Sequence, residues 1–126
     1  MVCAMTVRKK RVLIVDDDEE ILEFTELAFR EHGYEVLVAR DGAEALTRAE
    51  RDAPDLIVLD IIMPRRSGFS VLERLCRGPN GLPRIIVVTA DEDERRQEVA
   101  KSKGADAYIR KPFDVDRLLE KAAELL

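Results

Sequence analysis

Three carboxylates in a row, Asp16-Asp17-Asp18, follow the apolar run Val12–Val15, and another, Asp60, follows Leu56–Leu59. A hydroxyl, Thr89, closes the run Ile85–Val88, and an ammonium, Lys111, stands between Arg110 and Pro112 just past Ala107–Ile109. Carboxylates brought together repel, and gathering three of them costs stability unless a cation sits among them. A divalent ion with hard oxygen ligands meets that need; Mg²⁺ is typically held by one or two carboxylates plus a phosphate. No His or Cys stands near these positions, which argues against zinc. Beside such an ion a carboxylate can act as a nucleophile toward phosphorus and form an aspartyl-phosphate. Phosphoryl transfer then needs positioning and charge neutralisation, which Lys111 and Thr89 can supply without shuttling protons.

Taken singly, each of these residues has an ordinary structural role. Asp18 reads as a helix N-cap, Asp16 or Asp17 as a complement to a helix dipole, and Asp60 as a strand-end turn residue. Their shared placement is what points to chemistry. Four apolar runs bounded by charge or turn residues are the pattern of strands buried on both faces of a parallel sheet. In open α/β sheets, ligands bind outside the carboxyl ends of the strands, where all four groups would converge.

The elements needed to position them alternate regularly. Arg11–Val15 reads as a strand, and Asp18 to about His32 as a helix with Ile21, Phe24 and Ala28 on one stripe, broadened by Leu22 and Phe29. Gly33 ends that helix as a left-handed cap. Tyr34–Val38 is expected as the second strand, and Asp41–Arg51 as a helix with Ala45, Leu46 and Ala49 inward. After Pro54 comes the strand Leu56–Leu59, then a loop from Met63-Pro64 to Gly68 and a helix to about Arg77 carrying Phe69, Leu72 and Leu75. Gly78-Pro79-Asn80-Gly81 is the densest turn signal. Ile85–Val88 follows as the fourth strand, and then a nearly all-polar helix from Asp91 to about Lys103, whose main apolar residues are Val99 and Ala100. A short strand, Asp106–Ile109, and a helix capped by Asp114 and carrying Leu118, Leu119, Ala122 and Leu125 complete the chain. Five strands alternating with five helices predict an α/β fold, a right-handed parallel sheet with helices on both faces.

A chain of 126 residues, 46% apolar and 37% charged, suits one folded domain with one core. Residues 1–10 are expected as a disordered leader and residues 11–126 as the domain. The net charge of −5 argues against direct nucleic-acid binding, and the basic run Arg8-Lys9-Lys10-Arg11 reads as a solvated approach to the first strand. Cys3 and Cys76 fit no metal-ligand spacing, and their isolation suits reduced thiols in a cytoplasmic protein. No apolar stretch approaches the length of a membrane span.

The chain resembles the receiver domain of the response regulators of two-component (His-Asp phosphorelay) signalling. The matching stretches are VLIVDDDEEI at Val12–Ile21, PDLIVLDIIMP at Pro54–Pro64 followed by Gly68, IIVVTA at Ile85–Ala90, and GADAYIRKPF at Gly104–Phe113. The resemblance implies the flavodoxin-like (βα)5 receiver fold and a signalling switch in place of a conventional enzyme, with its chemistry confined to phosphorylation and autodephosphorylation at Asp60. Asp60 matches the phosphoacceptor, which takes its phosphoryl group from a phosphohistidine of a histidine kinase or histidine phosphotransfer protein. Asp16 and Asp17 match the acidic pair that binds Mg²⁺, or Mn²⁺ in its place, with help from Asp60 and the backbone carbonyl that would be that of Ile62. Thr89 matches the switch hydroxyl, Lys111 the lysine that pairs with the phosphoryl group, and Tyr108 the aromatic that swings inward when Thr89 moves. The Lys111–Pro112 bond is cis in similar proteins. The polar helix, fifth strand and last helix match the usual output face, through which a homodimer, a downstream effector or an attached output domain would be controlled.

Several residues individualise the pattern. Arg65-Arg66-Ser67 precede Gly68 where relatives often carry Gly, Met or Asp, and the positions held here by the apolar Ile62 and acidic Asp91 influence, in similar proteins, how readily water reaches the phosphoryl group. Two other readings share these residues. A receiver-like module that never accepts phosphate usually lacks the acceptor, the acidic pair or the lysine, all present here. A haloacid-dehalogenase-like phosphatase also uses an aspartate nucleophile and Mg²⁺, but wants Thr or Val where this chain has Glu20, and room for a substrate cap.

Overall fold

The computed structural model describes residues 9–61, 68–75, 78–90 and 94–126. Five parallel strands form one sheet: β1 (Arg11–Val15), β2 (Glu35–Ala39), β3 (Leu56–Asp60), β4 (Arg84–Thr89) and β5 (Ala107–Arg110), in the spatial order β2-β1-β3-β4-β5. The helices are α1 (Glu19–Glu31), α2 (Gly42–Asp52), α3 (Gly68–Arg74), α4 (Glu94–Ser102) and α5 (Val115–Leu125). The expected doubly covered parallel sheet is therefore present. Among the described residues no helix is long and apolar enough to cross a membrane.

Alternation along the strands divides the core into two layers, because successive strand side chains face opposite sides of a sheet. Val12 and Ile14 of β1, Leu56 and Val58 of β3, Ile86 and Val88 of β4 and Ile109 of β5 share a layer with Leu22 and Phe29 of α1 and Leu118 of α5. Leu13, Val15, Ile57, Leu59, Ile85 and Val87 share the other with Ala45 of α2, Leu72 of α3 and Ala100 of α4. Register fixes each layer: Ile14 pairs with Val58, and Val88 with Ile109.

The helix starts follow the expected capping chemistry. The Asp18 carboxylate accepts from the backbone N–H groups of Glu20 (3.0 Å) and Ile21 (3.4 Å), and Asp114 accepts from that of Asp116 (2.9 Å). Gly33, at φ +87°, turns α1 toward β2 in the left-handed conformation that favours glycine.

Several expectations need correction. The second strand runs Glu35–Ala39, one residue later than expected, because the Tyr34 N–H still donates to the Phe29 carbonyl of α1 (3.1 Å) and pairing with β1 begins at Glu35; the Tyr34 ring packs edge-on against Phe29 (centroids 5.4 Å apart). On α1 the buried residues are Leu22, Thr25 and Phe29, whereas Phe24 is 60% exposed; the inward stripe is rotated away from Phe24 and contains a hydroxyl. The third helix ends at Arg74, and β5 begins at Ala107. Residues 1–8, Ile62, the Met63–Ser67 loop, Cys76, Arg77 and Asp91 lie outside the described residues.

Asp106 stands just before β5, whose pairing with β4 begins at Ala107 opposite Ile86. Its Oδ2 accepts the Ile85 N–H at 2.8 Å, and the Asp55 Oδ2 accepts the Arg11 N–H at the same distance. Two aspartates thus close the amino edge of the sheet, each standing before one strand and holding the start of its neighbour. Asp55 is buried, so Asp55→Ala leaves the Arg11 N–H without this acceptor. It should lower unfolding stability by about 1–3 kcal/mol in urea titrations, with no effect on carboxyl-edge chemistry.

Candidate functional site at the carboxyl edge of the sheet

Strand parity delivers three charged side chains to one face. Asp16 continues the alternation of Val12 and Ile14, Asp60 that of Leu56 and Val58, and Lys111 that of Ile109. All three therefore reach the α1/α5 side of the sheet where the apolar ladder runs out. Asp16 and Asp60 are only 3% and 5% exposed, while Asp17, one step out of phase, is exposed.

The Lys111 ammonium bridges the two buried carboxylates, donating to Asp16 Oδ2 at 2.7 Å and to Asp60 Oδ2 at 3.2 Å. Its backbone is tied to the neighbouring strand, with the Lys111 N–H donating to the Thr89 carbonyl at 2.7 Å. The following peptide bond to Pro112 is cis, as the sequence resemblance implied, and so is Leu82–Pro83, which it did not. Burial pulls the Lys111 pKa down, but the hydrogen bond to Asp16 and the charges of Asp60 and Asp16 outweigh it. The net result is a pKa raised above the ordinary value, and Lys111 stays a cation.

Asp16 is further oriented by the Asp18 N–H, which donates to its Oδ1 at 3.0 Å. Carboxylate oxygens of Asp16, Asp17 and Asp60 all lie within 4.8 Å of one another. An all-oxygen donor set of this charge and spacing fits a hard divalent cation such as Mg²⁺. At the end of β3 the start of α3 returns to the site: the Gly68 N–H donates to the Ile61 carbonyl at 2.9 Å. A Cβ on Gly68 would fall 2.3 Å from the Ile61 Cα and 2.6 Å from the Asp60 carbonyl oxygen, so only glycine permits this approach.

Thr89 and Tyr108 belong to the other face. Thr89 is fully buried and follows Ile85 and Val87, and Tyr108 packs on the same layer, facing α4. The structure therefore brings Asp16, Asp17, Asp60 and Lys111 together directly. It places Thr89 at the carboxyl end of β4, on the layer that holds Tyr108.

A five-stranded α/β sheet of this order with an acidic cluster and a lysine at its carboxyl edge defines a receiver architecture, and the comparisons agree. The description "Response regulator receiver domain" matches residues 12–123, and the chain belongs to that family. It is 39% identical over 104 residues to the alkaline phosphatase synthesis transcriptional regulatory protein PhoP of Bacillus subtilis, covering 82% of this chain and 43% of that one. To the response regulator MprA of Mycobacterium leprae it is 40% identical over 116 residues, covering 92% and 50%. The chain thus spans about half the length of these curated relatives. Among solved structures, a response regulator receiver domain protein of Methanospirillum hungatei superposes with TM-score 0.87 at 37% identity over 93% of both chains. The chemotaxis protein CheY4 of Vibrio cholerae superposes with TM-score 0.86 at 30% identity over 94% of this chain and 100% of that one.

Removing the shared ammonium leaves two buried carboxylates facing each other. With divalent ions chelated, Lys111→Met should lose about 3 kcal/mol of unfolding stability at neutral pH, measured by urea titration. The folded-state pKa of Lys111 lies above its ordinary 10.5, so its contribution is complete below that pH and is lost as the pH rises through the raised value. The gap between parent and variant should therefore narrow only in that alkaline range.

Proposed function

We propose that Asp60 accepts a phosphoryl group from the phosphohistidine of a histidine kinase or histidine phosphotransfer protein, and that the acquired charge resets the face built by α4, β5 and α5. The observation that carries this reading is the Asp60 carboxylate, buried at the carboxyl end of the central strand with the Lys111 ammonium 3.2 Å away and two further carboxylates beside it. A carboxylate oxygen of Asp60 attacks phosphorus and forms the new P–O bond. The P–N bond breaks, its electron pair returns to the imidazole nitrogen, and the product is an aspartyl-phosphate.

Asp16, Asp17 and Asp60, with the backbone carbonyl of Ile62, would hold Mg²⁺ or Mn²⁺. When bound, the ion neutralises charge on the phosphoryl oxygens. Lys111 already holds Asp60 and needs only a small movement to pair with a phosphoryl oxygen. Thr89 turns its hydroxyl toward the phosphoryl group, and the space it leaves lets Tyr108 move inward. The effector acts through the surface that then changes, whether as a partner, an attached domain or a second copy of the chain.

A cleft of about 590 Å³ opens beside Lys111, lined by Ile21 and Phe24 of α1, Ala90, Pro112 and Phe113. Its largely apolar walls and the exposed Phe24 ring suit the docking of a helical phosphodonor within reach of Asp60. An interaction module that never takes phosphate has no specific observation in its favour, because acceptor, acidic pair and lysine are assembled together. A cytoplasmic location fits a donor of this kind.

Intact-protein mass spectrometry after incubation with acetyl phosphate and Mg²⁺ tests the reading. The parent should gain one phosphoryl group, and Asp60→Asn or chelation of the ion should abolish the gain. Adduct formation on Asp60→Asn would place the acceptor elsewhere. Lack of any adduct, together with an unchanged Tyr108 NMR signal under beryllofluoride, would favour the unphosphorylated module. Thr89→Ala should still gain the phosphoryl group but lose the Tyr108 response.

A further inference from the structure

Thr25 sits in the middle of the buried stripe of α1, 1% exposed, and its hydroxyl has no hydrogen-bond partner among the described residues. A helical threonine commonly bonds the carbonyl four residues back, as Thr47 does with Ala43 at 3.0 Å. Thr25 does not. Leaving a buried hydroxyl unsatisfied is costly, so the place where this one finds a partner matters.

Thr25 lines a small, partly open cavity together with Ile14, Val58, Val88, Asp16 and Asp60. The cavity offers about 10 Å³ to a water-sized sphere, close to the volume one water needs. A bound water also needs two to four polar partners. Here they are a hydroxyl that can donate or accept and the carboxylates of Asp16 and Asp60, whose oxygens can each accept two hydrogen bonds. The remaining walls are apolar: Ile14, Val15, Val58 and Val88 of the strands, Ile21 of α1, and Phe113.

We infer that one buried water occupies this cavity and couples the Thr25 hydroxyl to the Asp16 and Asp60 carboxylates, which makes Thr25 a positioning residue for the phosphoacceptor. The water donates to a carboxylate oxygen and completes its hydrogen bonding at Thr25. Asp60 is then held directly by Lys111 and through the water by Thr25, which fixes the orientation of its carboxylate. Thr25 touches neither phosphoryl group nor metal; it acts through the water. This role rests on the phosphoacceptor reading of Asp60, whereas the water site itself does not.

The test pairs Thr25→Val, which keeps the shape and removes the hydroxyl, with Thr25→Ser, which keeps the hydroxyl. High-resolution crystal structures should show one water in the cavity of the parent and of Thr25→Ser, and none in Thr25→Val. Thr25→Val should take phosphate from acetyl phosphate more slowly by about twofold to tenfold, the range of one net hydrogen bond. Its melting temperature should be unchanged or higher, and Thr25→Ser should restore the rate. A role in packing alone would move the melting temperature and leave the rate. A dry parent cavity, with the hydroxyl rotated onto the Ile21 carbonyl, overturns the inference, and so does a parental rate in Thr25→Val despite a water in the parent. If the parent takes no phosphate at all, the phosphoacceptor reading fails, and the electron density still decides the water site.

Discussion

One charge balance organises the carboxyl edge of this molecule: a single ammonium shared by two buried carboxylates from different strands. Asp16 and Asp60 are both buried and share the Lys111 ammonium; burial alone lowers the Lys111 pKa, and the two carboxylates more than offset that. The three residues are far apart in the chain, 95 positions between Asp16 and Lys111. Their meeting depends on the register of β1, β3, β4 and β5, so the sheet is also the scaffold of the site. A one-residue slip in any of these strands would send a charge to the opposite face.

The same parity separates two tasks. Side chains in phase with Ile14, Val58 and Ile109 reach the α1/α5 face and meet as charges, while Thr89 and Tyr108, in phase with Val87, lie in the layer under α4. Thr89 is the last residue of β4, where the strand alternation ends and a side chain can turn to either side. A receiver needs such a residue, because the new charge arises on one face and the proposed response occurs on the other.

Much of this was legible in the sequence because buried parallel strands announce themselves as continuous apolar runs, and the residue that ends each run is the one at the edge. Asp16, Asp60, Thr89 and Lys111 were identified that way. The helices were less legible. Ile21 and Phe24 have the spacing of an inward stripe, yet the helix is rotated so that Leu22, Thr25 and Phe29 are buried and Phe24 faces solvent. Apolar residues so plentiful on α1 allow more than one stripe, and only packing against the sheet selects among them. Thr25 is illegible for the same reason: a hydroxyl adds nothing to the apolar periodicity that marks a buried stripe. The roles of Asp55 and of Asp106, which the sequence places inside the fifth strand, are equally hidden, since the N–H each carboxylate accepts belongs to a strand distant in the chain.

The weakly apolar α4 fits what a switch requires energetically. Ala100 is its fully buried apolar residue and Val99 is 40% exposed, so little hydrophobic area holds the helix against the sheet. Burial of a methyl-sized group contributes about 1 kcal/mol. A charge-assisted hydrogen bond of the kind a phosphoryl oxygen makes with Lys111 contributes about 1.5–3 kcal/mol. These magnitudes are comparable, so one or two such bonds at the acceptor can offset the packing that keeps α4 in place. A helix with a larger buried stripe, such as α5 with Leu118, Leu119 and Ala122, would be held too firmly to respond. The proposed output face thus joins one element poised to shift to another that stays as its frame.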